Sequence, residues 1–264
     1  MKKTITIAAY RRPEYLKQVL DSLAVAMSHA AKPGHILMDD VILGIDPCIH
    51  SSEHHAVRCI ANSYDWIDDV IVWPEHLGVN EHPRRLLQYA FNECGSDFNL
   101  HLEDDTVLSP DALRLVEWFA NFGIIDAREN VPPRHAFAIG SRVGPYDLSL
   151  SLHNPSRDYE HRSRLYHTDS FGVWGWACHA YSWRNYLMPF WNHKRDLPIG
   201  WDWSISATMS RIGLRCIAPS LSRVHNIGRE RGHYQTPEGY DKDFAGQVWA
   251  GEEHMQRIED FHFE

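Results

Sequence analysis

Residues 99–113, NLHLEDDTVLSPDAL, place three consecutive acids, Glu103, Asp104 and Asp105, directly after an alternating run. Phe98, Leu100 and Leu102 point to one face and Asn99 and His101 to the other, the two-residue period of a strand. From Leu108 the pattern predicts a helix, with Ser109 as its cap and Pro110 in its first turn. Adjacent strand-end carboxylates raise one another's pKa unless a cation neutralises them. Mg²⁺ or Mn²⁺ suits such a corner, because these ions take oxygen ligands, need one or two protein carboxylates and keep positions for water and substrate phosphate. Acting as a Lewis acid, the ion would take up the leaving-group charge of a bound diphosphate. A solvated acidic run is the competing explanation.

The elements that must position these acids alternate in the first half of the chain. TITIAAY (4–10), part of 35–46, DDVIVWP (68–74) and FNLHLED read as strands. Residues 13–30, a short segment after Ser51, and PRRLLQYAFNEC (83–94) read as helices. That order predicts an α/β fold with a largely parallel sheet and helices on both faces. Ligands of such sheets bind beyond the carboxyl ends of the strands, where Tyr10-Arg11, Asp46 and the acidic triplet all fall. The second half is irregular: a strand at 135–142, a Pro- and Gly-punctuated stretch to about 165, a Trp-rich segment at 170–191, and a Gly- and charge-rich tail at 225–241 read as a mobile loop.

The rest of the 264 residues narrows the class. With 44% hydrophobic and 23% charged residues, the composition is that of a soluble globular protein. No membrane span is expected, and MKKTITIAAYRRPEYL lacks a cleavage site, so it reads as a first strand rather than a signal peptide. Five scattered cysteines without a C-x-x-C pair argue against a disulfide framework and for a reducing cytoplasm. A net charge of −9 offers no general attraction to phosphate backbones. Among 18 histidines, His50 and His54 have the i, i+4 spacing of helical zinc sites. Ser51 stands where that motif needs Glu, so a polar helix face is the simpler reading.

Four ordered blocks carry a resemblance. EDDTVLSPDAL resembles the E-D-D motif of the N-acetylglucosaminyltransferase I family, metal-dependent inverting glycosyltransferases of GT-A fold. RLYHTDSFGVWGW (164–176), WDWSISATMSRIGLRCIAPSLSRVHNIGRERG (201–232) and TIAAYRRPEYLKQVLDSL resemble further segments of that family in the same order, together covering about residues 3–235. The resemblance implies one GT-A catalytic domain over 1–264: a nucleotide-sugar half (1–107), an acceptor-side half (108–224), and a loop and tail (225–264). It implies a UDP-sugar donor with Mn²⁺ or Mg²⁺. Asp105 would be the direct metal ligand, with His225 near the metal or diphosphate. Glu103 and Asp104 would hold the ribose and the donor sugar or metal-bound water. Arg11, Asp46 and His82 would contact the nucleoside. Gly175 and Trp176 would floor the sugar site, and Arg229, with Arg231, would clamp the diphosphate. Asp202 would be the general base, since a sugar hydroxyl is too weak an acid to attack unassisted at neutral pH; capping of its own helix is the alternative.

The anchor, stem and additional C-terminal region of eukaryotic members have no counterpart in these residues, which suggests a minimal cytoplasmic enzyme of bacterial or viral origin. Residues 145–165, with Arg157, Arg162 and Arg164, would then supply a different acceptor surface: for a glycan, a lipid-linked sugar or a hydroxymethylated DNA base. Two rivals remain. One is a sugar-nucleotide or glycan-binding module without turnover; the other is a nucleotidyltransferase, against which AAYRRPEYL, lacking a Gly-rich loop, speaks.

Overall fold

Ile5, Ile7 and Ala9 alternate with Thr4 and Thr6, and the strand they predict is the centre of the structure. A computed structural model describes residues 1–30, 38–127, 146–149, 163–168, 171–192, 200–212, 215–230, 236–244, 249–251 and 262–263. The first half runs β1 (Lys3–Ala9), α1 (Pro13–Ala30), β2 (Asp40–Ile45), α2 (Ser51–Ala61), β3 (Asp69–Val72), α3 (Gly78–Gln88), a π-helical turn (Tyr89–Glu93), β4 (Phe98–Glu103), β5 (Thr106–Leu108) and α4 (Ala112–Ala127). The second half contains β6 (Tyr146–Ser149), β7 (Arg164–Thr168), β8 (Trp176–His179), α5 (Ala180–Ser182), a second π turn (Trp183–Leu187), α6 (Met188–Phe190), α7 (Trp201–Ile212), β9 (Arg215–Pro219), β10 (Val224–Asn226), α8 (Pro237–Phe244) and β11 (His262–Phe263).

Among the described residues, nine strands form one sheet in the order β11-β7-β9-β6-β8-β4-β1-β2-β3, and β10 pairs with β5 in a separate ribbon. Strands β1 to β4 are mutually parallel, as the βα alternation predicts, while β8 returns antiparallel beside β4. Helix α1 sends Leu16, Val19, Leu20 and Leu23 into the core. No described helix is long and apolar enough to cross a membrane.

Both faces of β4 are buried, so its alternation does not separate core from solvent. Asn99 and His101 lie in an interior polar seam instead. Thr4 Oγ1 donates to Asn99 Oδ1 at 2.7 Å, Asn99 Nδ2 donates to Thr6 Oγ1 at 2.9 Å, and Thr6 Oγ1 meets His101 Nδ1 at 2.9 Å. These partners satisfy groups that would otherwise be costly to bury. Burial also holds the His101 imidazole neutral, its pKa lowered to about 3.

Several boundaries depart from the sequence pattern. Helix α3 starts at Gly78, five residues before Pro83, because the Asp46 carboxylate at the end of β2 accepts from the Leu77 N–H (2.7 Å) and the Gly78 N–H (2.8 Å). Leu108 ends a strand rather than opening a helix: Thr106–Leu108 pairs with β10, and α4 begins at Ala112. The tail is not all loop, since residues 224–226 form β10 and 237–244 form α8. Helix α8 is seated by the Tyr240 hydroxyl donating to the Asn226 carbonyl. The expected strand at 135–142, Arg157, Arg162 and Arg231 lie outside the described residues, and only 146–149 and 163–165 of the expected acceptor surface lie within them.

Arg223 and Asp111 join the ribbon to the start of α4 in a fully buried ion pair, Nε to Oδ2 at 3.0 Å. Removing one partner of such a pair strands a charge in the interior. Arg223→Met is therefore expected to lower unfolding free energy by roughly 3–5 kcal/mol in urea denaturation, with Asp111→Leu added to it recovering most of the loss. A single-variant cost below about 1 kcal/mol would show that the pair does not hold the ribbon.

Candidate active site

The triplet leaves the sheet at the end of β4, between β1 and the β10 ribbon. Arg12, in the turn after β1, reaches across with its whole fork. Its Nε donates to Asp104 Oδ1 at 3.1 Å, its Nη2 pairs with the same oxygen, and its Nη1 pairs with Asp105 Oδ2 at 2.7 Å. Asp104 Oδ2 also accepts the Tyr10 N–H at 3.2 Å. Asp105 Oδ1 is buried with no hydrogen-bond partner. Burial, more than the neighbouring Arg12, sets the Asp105 carboxyl above its ordinary range. Glu103 is pushed up to about 8, first by desolvation and then by the charge of Asp105.

Gly228 completes this corner. Ile227 N–H donates to the Asp105 carbonyl at 2.8 Å, bringing the chain after β10 against the triplet. A Cβ on Gly228 would lie 2.1 Å from Asp105 Oδ2, so the position takes a glycine for close approach rather than for an unusual dihedral.

These acids sit in a cleft of about 780 Å³ at the carboxyl ends of β1, β2 and β4. One wall carries Tyr10, Arg11, Asp46, His76 and His82. The Tyr10 ring stacks on His76 with centroids 5.0 Å apart, and the Arg11 guanidinium lies 5.5 Å from the Tyr10 centroid. Asp46 is nearly fully buried; besides capping α3 it meets His76 Nδ1 at 2.9 Å. His82 is neutral, lowered to about 4 because burial outweighs the carboxylates of Asp46 and Asp104, and its Nε2 has no hydrogen-bond partner. Gly44, next to last in β2, leaves room for it: a Cβ there would be 2.9 Å from His82 Nε2.

The first turn of α7, with Trp201, Asp202 and Trp203, also lines the cleft, together with Trp174. Asn80 of α3 pins this turn: its Oδ1 accepts the Trp201 N–H at 3.0 Å and its carbonyl accepts Trp191 Nε1 at 2.8 Å. Trp201 stacks on Trp191 at 4.3 Å and 4°. Asp202 is partly buried and close enough to Glu103 to contribute to the shift of that carboxyl.

The structure thus brings together Arg11, Asp46, His82, Glu103, Asp104, Asp105 and Asp202. It does not bring the other expected residues to the cleft. Trp176 is wholly buried on β8, packed against Phe171, Trp191 and Trp201, and Gly175 precedes it with φ of 68°. Arg229 is exposed and forked onto Asp241 of α8 at 2.8 and 2.7 Å. His225 stacks on Trp249 at 5.3 Å. Arg12, His76 and Gly228 escaped the sequence reading. Arg12 was masked by its neighbour Arg11, whereas the within-strand glycine of VILGID was a legible sign of a close approach. Among the described residues no three His, Cys, Asp or Glu side chains form a ready metal cage, at His50 and His54 or at the triplet.

The comparisons with known proteins bear on the fold. Neither a protein-family model nor a curated protein matches the chain. Among solved structures, a mannosyltransferase from Pyrobaculum calidifontis, in complex with GDP-mannose and Mn²⁺, matches at a TM-score of 0.51 and 15% identity. The chain has a glycosyltransferase fold. The match covers 83% of this chain and 54% of the mannosyltransferase chain, so this chain spans about half the length of that protein.

Gly228→Ala tests the close approach at Asp105. Forcing a methyl into that contact is expected to cost roughly 1–3 kcal/mol in urea denaturation, whereas an unchanged midpoint would show that residues 226–229 do not seat against the carboxylate.

Proposed function

We propose that the protein is a metal-dependent, inverting glycosyltransferase that moves a sugar from a UDP-sugar to an acceptor hydroxyl. The observation that carries this reading is the convergence, in one cleft of a glycosyltransferase fold, of a strand-end acid triplet with a further carboxylate, Asp202, from the first turn of α7. The mannosyltransferase of similar fold was solved with a nucleotide sugar and Mn²⁺. Uridine as the base, and inversion, rest on the motif resemblance.

The triplet fits a divalent ion. Asp105 Oδ1 is a buried acceptor left without a donor, and such an ion needs only one or two protein carboxylates when phosphate oxygens and water complete its shell. Asp105 would hold it, with Glu103 and Asp104 beside it. When bound, the ion supplies Lewis-acid stabilisation of the leaving diphosphate.

The protein's own groups account for the remaining steps. Tyr10, His76 and Asp46 form the nucleoside wall, with Arg11 and His82 beside them. Asp202 accepts the proton of the acceptor hydroxyl while its oxygen attacks the anomeric carbon. The bond to the UDP oxygen breaks on the far side, so one in-line displacement inverts the centre and leaves Asp202 protonated and UDP free. Because α7 is pinned to α3 through Asn80, the base is held by rigid elements rather than by a loop.

A release assay with nucleotide sugars tests the reading. UDP-sugars with Mn²⁺ should yield UDP and EDTA should abolish the signal. Asp202→Asn should lower turnover by about 10²–10⁴-fold while donors still raise the melting temperature. Turnover of GDP-mannose alone would reassign the base, and a product that keeps the donor's anomeric configuration would refute the single displacement.

A further inference from the structure

A tryptophan beside the proposed base stands largely in solvent. Trp203 is 69% exposed, and of the exposed large apolar side chains among the described residues it alone lines the cleft. Single exposed aromatics are ordinary on protein surfaces, so exposure by itself decides nothing. Position decides it: Trp203 follows Asp202 in the first turn of α7, the turn that Asn80 and the Trp201–Trp191 stack hold in place. Its neighbour Trp201 is buried and already serves the core. Core packing therefore does not account for the Trp203 indole.

The charge of the cleft narrows what such an indole could meet. Five acids line it (Asp46, Glu103, Asp104, Asp105 and Asp202), of which Glu103 is pushed towards its neutral form, against two arginines, and Arg12 is already shared by Asp104 and Asp105. A phosphodiester strand entering on the Asp202 side would be repelled, and the net charge of −9 adds to this. A neutral ring with an apolar C–H face and hydroxyl edges suits the site: the face packs on an indole while a hydroxyl reaches the adjacent carboxylate.

We propose that Trp203 is the acceptor-side platform and that the acceptor is a saccharide, whose ring stacks on the indole and so presents its hydroxyl to Asp202. This rests on the glycosyltransferase reading for the role of Asp202, but ring binding can be measured without turnover. The probes are methyl glycosides of glucose, galactose, mannose and N-acetylglucosamine, titrated with and without UDP and Mn²⁺, with saturation-transfer NMR and tryptophan fluorescence as readouts. At least one glycoside should bind the wild type. Trp203→Ala should weaken it about tenfold or more, and Trp203→Phe should restore most of the loss. In transfer assays with that sugar, Trp203→Ala should raise the acceptor KM by a similar factor with a smaller change in kcat. Equal binding by wild type and Trp203→Ala would overturn the proposal. So would binding of a hydroxymethylcytosine oligonucleotide, lost in Trp203→Ala, where no glycoside binds. Absence of UDP release from every donor would instead refute the enzymatic reading and leave the glycoside result to be judged separately.

Discussion

One guanidinium makes the centre of this protein possible. Asp104 and Asp105 are both nearly buried at the end of β4, and Arg12 reaches both from the turn after β1. Two like charges about 4 Å apart at an effective dielectric near 20 repel by about 4 kcal/mol. A planar fork that pairs with both carboxylates offsets that repulsion in a way a single point charge does not. The offset is incomplete: Asp105 keeps an unpartnered oxygen and Glu103 is pushed towards its protonated form. The corner therefore retains a demand for positive charge, and that demand is the basis for proposing a cation there.

The rest of the structure serves to hold this corner. Parallel pairing of β1 with β2 and β4 brings Tyr10, Asp46 and the triplet to one rim. The buried Arg223–Asp111 pair fixes the β5–β10 ribbon, and the ribbon delivers Gly228 against Asp105. Asn80 couples α3 to the turn that carries Asp202, because this one residue of α3 bonds both the Trp201 N–H and the Trp191 indole. Helices α3 and α7, which both line the cleft, are thus tied through backbone and core.

Local pattern was enough to read β1, α1, β2, β4, the parallel order and the acids at the rim, since each depends on periodicity within a short window. It failed where a distant partner decides. The start of α3 is set by Asp46, more than thirty residues earlier. The fate of Leu108 is set by β10, and that of Asn99 and His101 by Thr4 and Thr6 on a neighbouring strand. Trp176 illustrates a different failure. The family resemblance implied a sugar-facing position, but the strand register opposite His101 turns it into the core, and Trp174 and Trp203 line the cleft instead. Arg11 and Arg12 are alike in type, and only the turn geometry shows which one meets the triplet.

The central claim is that a divalent ion seats on the Asp105 carboxylate together with a nucleoside diphosphate. Anomalous diffraction at the manganese edge, from crystals grown with UDP and Mn²⁺, measures this directly. The account predicts a peak in contact with Asp105 and with diphosphate oxygens. Bound UDP with no peak at that carboxylate, and Arg12 still spanning Asp104 and Asp105, would contradict it.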